Sequence, residues 1–560
     1  MTKTVAELII DSLAASGVKR IYGVPGDSIN PLVDSIRRRK TIRYVQVRHE
    51  EGGAFAASFD AKLSGDISAC FGTSGPGAIH LLNGLYDAKM DRASVVAITG
   101  QVSSALLGKD SHQEVNLVKL FDDVSVFNRF VPDAKIAPYL IARAIREAKL
   151  GHGVAHLNIP VNVLRDKVEE SDYCYTEIPQ VAYSPSLDSV TDLVAKSQKP
   201  ILLIGSGTVG RSDLVSTFSE KIGAPIIYAL MGKGVIDDND PRVMGGLGML
   251  GSKSSLEAIK RSDLIIALGT SFPYAGFIPS DKIIIQVDTD PRMPGRVFPV
   301  TLPILSDTRT FLESMIQAVP KKDTGFVDDL ASARDSWRSS LVEDENRTTN
   351  GVNPMELARI LSDEAEKDSV VVTDTGNTTV WIARHFMASE GQRFLFSGAL
   401  ASMGNGLPGS IEAALGTDRQ VIAAVGDGGF AMTMMELSTV KKYNIPVKIL
   451  LFNNSKLAMI KYEQEVLGYP EWGVGLYNPD FSIAANAYKI NSDRIESHME
   501  IRSKIREMLD HNGPFVLEAI TDPNVRPMPP RITIEQATGY LAANIREHVA
   551  YDPEIPAMQE

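Results

Sequence analysis

The regular alternation of short apolar runs with stretches of helical periodicity constrains the fold of this chain more than any other feature. Many of the runs end in Gly, Asp, Asn or Thr, and a helical stretch follows several of them. Strands that helices cover on both faces have this continuous apolar character. The pattern therefore predicts the α/β class with doubly wound parallel sheets. Examples of the runs are SACFGT, SVVAITG, ILLIGSG, DLIIALG, KIIIQVD, SVVVTD, QVIAAVGDG and VKILLFNN.

The length of 560 residues suggests three or four domains at about 150 residues each. Two segments have little apolar periodicity, residues 166–190 and residues 319–354, and we interpret both as linkers. Three α/β domains and a tail result. The predicted ranges are 1–180, 183–335, 350–525 and, for the C-terminal tail, 526–560.

Composition argues for a soluble, intracellular protein. The net charge of −12 argues against nucleic acid as a partner, because nucleic-acid binding depends on clustered Lys and Arg. Cys70 and Cys174 lack metal-ligand spacing and fit a reduced compartment. The first residues do not resemble a signal peptide, and no apolar run approaches the ~18 residues of a membrane span. We therefore expect a cytoplasmic location.

Two oxygen-bearing side chains follow two neighbouring apolar runs. Asp427 comes after VIAAV, and Asn454 comes after VKILLF, with a helical stretch between the two runs. Such a βαβ unit joins parallel strands, so both side chains are expected at one sheet edge, where α/β sheets bind ligands. Carboxylate and amide oxygens suit Mg²⁺, and the adjacent glycines and helix start suit a phosphate. GDG alone is more often a simple turn, whereas GDG with NN favours a magnesium-diphosphate site.

GDG followed by NN at this spacing resembles the motif of thiamine diphosphate-dependent enzymes, and the resemblance extends along nearly the whole chain. It implies that Asp427, Asn454 and the backbone carbonyl of Lys456 bind Mg²⁺. It also implies that Glu50 of a neighbouring subunit hydrogen-bonds N1′ of the cofactor's aminopyrimidine, which favours the reactive imino form. Met403 would force the cofactor into a V shape. Taken alone, HEE fits an exposed helix start and Met403 fits core packing.

Within that family, the motifs most resemble flavin-dependent pyruvate oxidases, including pyruvate:quinone oxidoreductases. The similar segments include GVPGDSIN, RHEE, FGTSGPGAIHLLNGLYDAKMD, HQE, GTSFPY, TVWIAR, MIKYEQE and PPRITIEQATGY. The resemblance implies catalytic roles near substrate for Gln113, Met459 and Glu463, in addition to Glu50, and the position of His112 beside Gln113 makes it a further catalytic candidate. His112 stands where relatives usually have Phe, and a ring that merely fills the same volume is the alternative to a substrate contact.

The middle domain carries a GxGxxG pattern after an apolar run, in ILLIGSGTVG, which is a weak signal for a dinucleotide by itself. The resemblance implies FAD there, and a flavin-free middle domain is the alternative. The positions implied for thiamine diphosphate are Glu50, Ala401, Ser402, Met403, Asp427, Gly428, Gly429, Asn454, Leu457 and Ile460. Those implied for FAD are Gly207, Leu247, Gly248, Met249, Leu250, Thr270, Ser271, Phe272, Pro273, Tyr274 and Asp288.

The implied function is oxidative decarboxylation of pyruvate through hydroxyethyl-thiamine diphosphate, with electrons passing to FAD and then to oxygen or a quinone. The products are CO₂ and acetate or acetyl phosphate. An acetolactate synthase-type carboligase with non-redox FAD and a non-catalytic homologue are the alternatives. The resemblance also implies a homodimer or homotetramer. The tail has two prolines among its acidic residues, so we expect at most weak membrane association.

Overall fold

The computed structural model describes residues 3–168, 187–530 and 534–549. The described residues form three six-stranded sheets and one short antiparallel pair of strands. Each six-stranded sheet is parallel throughout and is flanked by helices. The predicted fold class is therefore confirmed. The predicted boundary at residues 180–183, Cys174 and the last eleven residues lie outside the described part of the chain.

The first sheet has the order β3-β2-β4-β5-β7-β6, with the elements numbered as below. Its central strands are apolar on both faces because helices cover both sides. Strands β1 and β8 form the antiparallel pair. The strands are β1 Lys3–Thr4, β2 Arg20–Gly23, β3 Arg43–Gln46, β4 Ser68–Gly72, β5 Val95–Gln101, β6 Ser125–Phe130, β7 Val154–Pro160 and β8 Lys167–Val168. The helices are α1 Val5–Ala15, α2 Asn30–Arg39, α3 Glu50–Ser64, α4 Pro76–His80, α5 Leu82–Met90, α6 Leu117–Leu120, α7 Ala137–Gly151 and α8 Val161–Arg165.

The second sheet has the order β11-β10-β9-β12-β13-β14, so successive strands are added on one side of β9 up to β11 and on its other side from β12 onward. Loops after the adjacent strands β9 and β12 form the crevice in which α/β sheets bind ligands. The strands are β9 Pro200–Ile204, β10 Ile226–Tyr228, β11 Val243–Gly246, β12 Leu264–Leu268, β13 Ile283–Asp288 and β14 Leu302–Leu305. The helices are α9 Asp188–Lys196, α10 Ser212–Ile222, α11 Lys253–Arg261, α12 Thr308–Ala318, α13 Phe326–Asp329 and α14 Ala331–Glu345.

The third sheet has the order β16-β15-β17-β18-β20-β19. Its central strands β17 and β18 pair directly, with Gly426 opposite Phe452, so the predicted βαβ unit is present. The strands are β15 Val370–Thr373, β16 Arg393–Leu395, β17 Val421–Gly426, β18 Val447–Asn453, β19 Asn491–Ile495 and β20 Phe515–Ile520. The helices are α15 Pro354–Glu364, α16 Asn377–His385, α17 Gly406–Gly416, α18 Asp427–Thr433, α19 Leu437–Tyr443, α20 Ala458–Val466, α21 Phe481–Ala487, α22 Ile501–Asp510 and α23 Ile534–Val549.

The segment at residues 319–354, which we interpret as a linker, contains two helices. Much of it forms α13 and α14, and the predicted domain limit at residue 335 falls inside α14. Helix α14 contacts α11 of the second domain and α15 of the third. Leu341 is its buried residue, so the helix has too few apolar positions to show a periodicity in the sequence.

The tail also contains a helix that docks on the third domain. Helix α23 packs along α20, and a Cβ atom added to Gly539 would meet the Val466 carbonyl oxygen at 2.1 Å. The guanidinium of Arg546 donates to the carbonyl of Gly468 at 2.6 Å. Among the described helices, none has both the length and the apolar character that crossing a bilayer requires.

A buried cation joins the first and third domains. The ammonium of Lys62 on α3 lies 2.6 Å from carboxylates of both Asp87 and Asp91 and donates to the Phe396 carbonyl at 3.0 Å. Asp91 in turn accepts the backbone N–H groups of Gly398 and Ala399, each at 2.8 Å. The loop after β16 is therefore held by charged groups of the first domain.

We expect Lys62→Met to destabilise the protein by about 3–5 kcal/mol, because it leaves buried carboxylates without their cation. Denaturant unfolding followed by circular dichroism measures the loss. Arg37→Met is the matched control, since it breaks an exposed ion pair with Asp34 and should barely move the midpoint. Equal midpoints for the two variants would contradict the role of Lys62.

Candidate active site

One large cavity lies where the three domains meet. Its volume is about 750 Å³, which is within the range typical of small-molecule sites. The loops after β9, β10, β11 and β12 line one end, and the loops after β15, β17 and β18 line the other. The first domain contributes residues 89–92. A cavity with this lining has room for a ligand that spans the second and third domains.

The third-domain end of the cavity is lined by the oxygen-bearing residues that the sequence predicted at one sheet edge. Asp427 begins α18, Asn454 follows β18, and both line the cavity with Lys456. Asp427 is almost fully buried, and burial raises the pKa of its carboxyl to about 6, although the amide of Asn478 opposes the shift. A bound cation would stabilise the ionised form. Carboxylate, amide and carbonyl oxygens form a donor set suited to Mg²⁺.

The two asparagines of the NN pair have different surroundings. The Asn453 side chain is buried and donates to Glu518 Oε1 at 2.7 Å, so it holds β18 to β20. Asn454 lines the cavity, and its Oδ1 accepts the N–H of Lys456 at 3.0 Å. Two backbone hydrogen bonds hold this loop in place. The N–H of Leu457 donates to the Val474 carbonyl and the N–H of Leu476 donates to the Ser455 carbonyl, so neither bond involves the Lys456 carbonyl.

Sequence reasoning missed Asn478, which orients the carboxylate of Asp427. Its amide nitrogen donates to Asp427 Oδ2 at 2.7 Å and to Asn453 Oδ1 at 3.0 Å. One side chain thus ties the loops that follow β17 and β18. The polar segment around it offered no periodicity or motif that would have marked it.

Residues 375–379 were also missed, although they line the cavity. They follow β15, which is the neighbour of β17, so they lie at the same sheet edge as Asp427. The apolar run SVVVTD was a signal for this strand, but its neighbours were unknown. Asn377 is buried there, and its Oδ1 has no hydrogen-bond partner among the described residues, as expected for an atom that binds a ligand.

The cavity wall near Asp427 is closely packed around glycine. A Cβ atom added to Gly428 would lie 3.0 Å from Met403 and 3.1 Å from Leu457. Beneath this wall, Asp374 accepts the N–H of Gly404 at 3.0 Å and is fully buried, which raises its pKa to about 7. Asp374 therefore positions the loop that carries Met403.

Helix α20 lines the cavity with three predicted residues, Met459, Ile460 and Glu463. A series of ion pairs connects this helix to the loop of Asn454 and Lys456 and to the C-terminal tail. Lys456 pairs with Glu471, which also lies 2.6 Å from Lys461. Although burial alone would raise it, the pKa of Glu471 is lowered by these two lysines.

The series continues from α20 to the tail helix. Glu465 lies 3.9 Å from Lys461 and 2.8 Å from Arg526. The guanidinium of Arg526 lies 4.9 Å from the ring centre of Tyr540 on α23. Docking of the tail helix is thus linked through charged side chains to the loop of Lys456.

At the second-domain end, the predicted flavin segments line the cavity. Arg384 of the third domain donates to the carbonyls of Met249 at 2.9 Å and Leu250 at 3.3 Å, and fastens this loop. Phe272 and Tyr274 meet edge to face with ring centres 5.6 Å apart. The predicted cofactor residues that line the cavity are Ala401, Met403, Asp427, Gly428, Gly429, Asn454, Leu457, Ile460, Leu247, Met249, Leu250, Thr270, Ser271, Phe272, Pro273 and Tyr274.

Five predicted cofactor residues do not line it, namely Glu50, which belongs to the first-domain group below, and the four that follow. Gly207 packs against Gly269, where an added Cβ atom would come within 2.7 Å, so its lack of a side chain serves loop packing. Gly248 lies behind Phe272 and Tyr274. The hydroxyl of Ser402 contacts Asn83 at 3.0 Å. Asp288 is buried, with Arg92 3.5 Å away and the N–H of Asp290 bound at 2.9 Å.

The predicted first-domain residues form a separate group. A Cβ atom on Gly77 would lie 2.9 Å from Glu50 Oε1, and one on Gly75 would lie 3.0 Å from the Gln113 carbonyl. Glu50 and Gln113 therefore lie around one loop, and His112 beside them is exposed. None of the three lines the cavity of the same protomer.

Comparison with family models matches all three domains. The N-terminal thiamine pyrophosphate (TPP)-binding domain of thiamine pyrophosphate enzymes matches residues 3–120, their central domain matches residues 187–315, and their C-terminal TPP-binding domain matches residues 374–519. The chain belongs to the thiamine pyrophosphate enzyme family. It is therefore a thiamine diphosphate-dependent enzyme, and the predicted family is confirmed.

Relatives within the family carry different names. The chain is 37% identical to YdaP of Bacillus subtilis, which is described as a thiamine pyrophosphate-containing protein. This match covers 100% of this chain and 98% of the relative. It is 30% identical to a pyruvate oxidase of Lactiplantibacillus plantarum, over 95% and 91%. It is also 30% identical to the large subunit of acetolactate synthase isozyme 2 of Escherichia coli, over 94% and 97%.

We expect Asn478→Ala to weaken Mg²⁺-dependent binding of thiamine diphosphate by about 10- to 100-fold, because it removes the donor that orients Asp427. Quenching of tryptophan fluorescence during cofactor titration at fixed Mg²⁺ measures the affinity. The exposed Asn486→Ala on the following helix is the matched control and should bind as the unmodified protein does. Unchanged affinity in Asn478→Ala would remove Asn478 from the site.

Proposed function

We propose that this chain catalyses the oxidative decarboxylation of pyruvate, with thiamine diphosphate, Mg²⁺ and FAD as cofactors. The products are CO₂ and acetate or acetyl phosphate. The observation that carries the proposal is the single cavity that runs from the Asp427 and Asn454 oxygens to the loops of the second domain. A site for electron transfer between two cofactors requires such a connected space.

The lining residues fit both cofactors chemically. Asp427, Asn454 and the Lys456 carbonyl would hold Mg²⁺ against the diphosphate. Asn377 Oδ1, which has no hydrogen-bond partner in the described part of the chain, would bind a ligand atom. The peptide and aromatic groups of residues 247–250 and 270–274 would hold FAD. When bound, the thiazolium accepts the electrons released by decarboxylation of a 2-keto acid, and the flavin accepts an electron pair.

The chain's own groups supply orientation and proton transfer. Met403 and Leu457 would support the cofactor from one side, and Met459 and Glu463 on α20 would border the reaction space. The Glu50 carboxyl, buried and hydrogen-bonded at one oxygen by His80, would hold a proton at N1′ of the pyrimidine.

Glu50 acts from a second copy of the chain in this proposal. It lies near Gln113 and outside the cavity of its own protomer, so each complete site would need one first domain and one third domain from different copies. A homodimer is the smallest such assembly, and a homotetramer pairs two of them. Gln113 and His112 would then face the substrate.

A carboligase of the acetolactate synthase type is the second candidate. The chain is 30% identical both to a pyruvate oxidase and to an acetolactate synthase large subunit, and this equal identity supports the carboligase as a second candidate function. Both reactions begin with decarboxylation of a 2-keto acid. They differ in whether the flavin takes the electrons or a second keto acid is joined.

Anaerobic mixing of the loaded enzyme with pyruvate separates the two. We expect loss of the oxidised-flavin absorbance within one turnover, since the proposal assigns the electron pair to FAD. Enzyme without Mg²⁺ is the control and should keep its flavin oxidised. Accumulation of acetolactate with oxidised flavin would establish the carboligase instead. Reoxidation by oxygen or by a quinone then identifies the electron acceptor.

We expect Glu50→Gln to lower the rate of CO₂ release from pyruvate by roughly 10²- to 10⁴-fold, the usual contribution of a positioned acid-base group. Glu51→Gln makes the same chemical change one residue later and should retain most of the rate. Binding of thiamine diphosphate, measured by fluorescence, should persist in both variants. Full activity in Glu50→Gln would contradict the proposed role of this carboxyl.

A further inference from the structure

His49, Glu50 and His80 form a compact cluster on the first domain. One ligating atom from each lies within 4.8 Å of the others. His80 Nδ1 is 3.0 Å from Glu50 Oε2, and the two imidazole rings stack with centres 4.3 Å apart. Two imidazole nitrogens and a carboxylate oxygen are the three protein ligands found in many zinc sites.

The third domain fixes one side of the cluster. Glu436 Oε1 accepts the N–H groups of both Arg48 and His49, at 2.9 Å and 3.1 Å. His49 caps α3, so its backbone position is set before any ligand binds. Glu50 is the first residue of that helix, and its side chain is only 10% exposed.

Glu51 provides a carboxylate for the outer side of His49. Its Oε2 lies 3.8 Å from His49 Nδ1. Metal-binding histidines usually direct the second ring nitrogen to a carboxylate, which fixes the ring orientation and raises the basicity of the ligating nitrogen. In the cap of α3, His49 Nδ1 accepts the backbone N–H of Glu51 at 3.3 Å. Metal binding at His49 Nε2 therefore requires the tautomer that protonates Nδ1, which gives up this cap bond and turns the Nδ1–H toward the Glu51 carboxylate.

The donor set differs from that of the Asp427 site. Asp427, Asn454 and the Lys456 carbonyl offer oxygen atoms alone, which suit Mg²⁺. The cluster offers two imidazoles, which favour borderline metals such as Zn²⁺. In a tetrahedral zinc site, ligand atoms lie about 3.3 Å apart, so binding requires the three side chains to draw together and the two stacked rings to turn until their ligating nitrogens converge.

We propose that His49, Glu50 and His80 form a transition-metal site, of which Zn²⁺ is the expected occupant, and that its occupancy inhibits the enzyme. Binding of the metal takes the Glu50 carboxylate that the proposed function assigns to the aminopyrimidine. The inhibition rests on that proposed function, whereas the binding does not. Excess Mg²⁺ does not relieve it, because the two ions occupy different sites.

Competition of the full-length protein with a chromophoric chelator for Zn²⁺ tests the binding. Loss of a group behind a metal ligand usually weakens metal binding by about 10- to 100-fold. Because His80 is proposed as a ligand itself, we expect His80→Asn to weaken Zn²⁺ binding by more than that. His498→Asn is the matched control, since it removes an exposed imidazole outside the cluster. His49→Asn should reproduce the loss if His80→Asn folds poorly. Equal Zn²⁺ affinity in the unmodified protein and both cluster variants would overturn the proposal.

Co²⁺ gives an independent spectroscopic readout. We expect the visible absorption of tetrahedral Co²⁺ in the unmodified protein and in His498→Asn, and its loss in His80→Asn. A spectrum of hexa-aqua Co²⁺ in the unmodified protein would contradict the site.

Activity measurements separate this inference from the proposed function. We expect Zn²⁺ to inhibit CO₂ release in the presence of saturating Mg²⁺ and thiamine diphosphate, and to inhibit His80→Asn only at higher concentrations. Cluster-dependent Zn²⁺ binding without inhibition would retain the metal site and reject the role of Glu50. Strong impairment of Glu50→Gln together with absent Zn²⁺ binding would reject the metal site and retain the proposed function.

Discussion

The direct parallel pairing of β17 with β18 is the contact on which the candidate site depends. Because the register sets Gly426 opposite Phe452, the residues after both strands emerge at one edge of the sheet. Asp427 and Asn454 meet there, and Asn478 connects the two loops through hydrogen bonds to Asp427 and Asn453. Fully buried strands resist sliding, since a shift of one residue would move every side chain to the opposite face.

The cavity itself is a product of domain packing. Lys62 of the first domain binds Phe396 and two carboxylates, and one of these carboxylates, Asp91, holds the loop after β16. Arg384 of the third domain holds the loop of Met249 and Leu250 in the second. Lys62 thus joins the first domain to the third, and Arg384 joins the third domain to the second; loops of the second and third domains line the two ends of the cavity.

The first domain contributes chemistry of a different kind. Glu50 and Gln113 gather around the loop of Gly75 and Gly77, away from the cavity of their own protomer. His80 contacts the Glu50 carboxyl directly. A carboxyl that is buried, hydrogen-bonded and flanked by imidazoles is suited to hold a proton and also to bind a metal. The same residues thus connect the proposed catalysis with the proposed inhibition.

Several features followed from the sequence because they depend on local pattern. The apolar runs predicted parallel strands, and GDG with NN predicted that Asp427 and Asn454 lie at one sheet edge, since both predictions depend on residues near one another in the chain. The helix α14 escaped prediction because Leu341 alone of its residues is buried. The sequence could not show that Gly207 packs against Gly269, because a glycine that packs against backbone looks the same in a sequence as one that approaches a ligand.

The sequence by itself determined the α/β class, the strand ends that carry Asp427 and Asn454, and the family. The tertiary structure alone decided that β15 neighbours β17, which brings Asn377 to the cavity, and that Asn478 reaches Asp427 from a loop with no motif. It also decided that Glu50 and His80 meet. These contacts join residues far apart in the chain. Their positions depend on how helices pack between sheets, and no local pattern of residues encodes that packing.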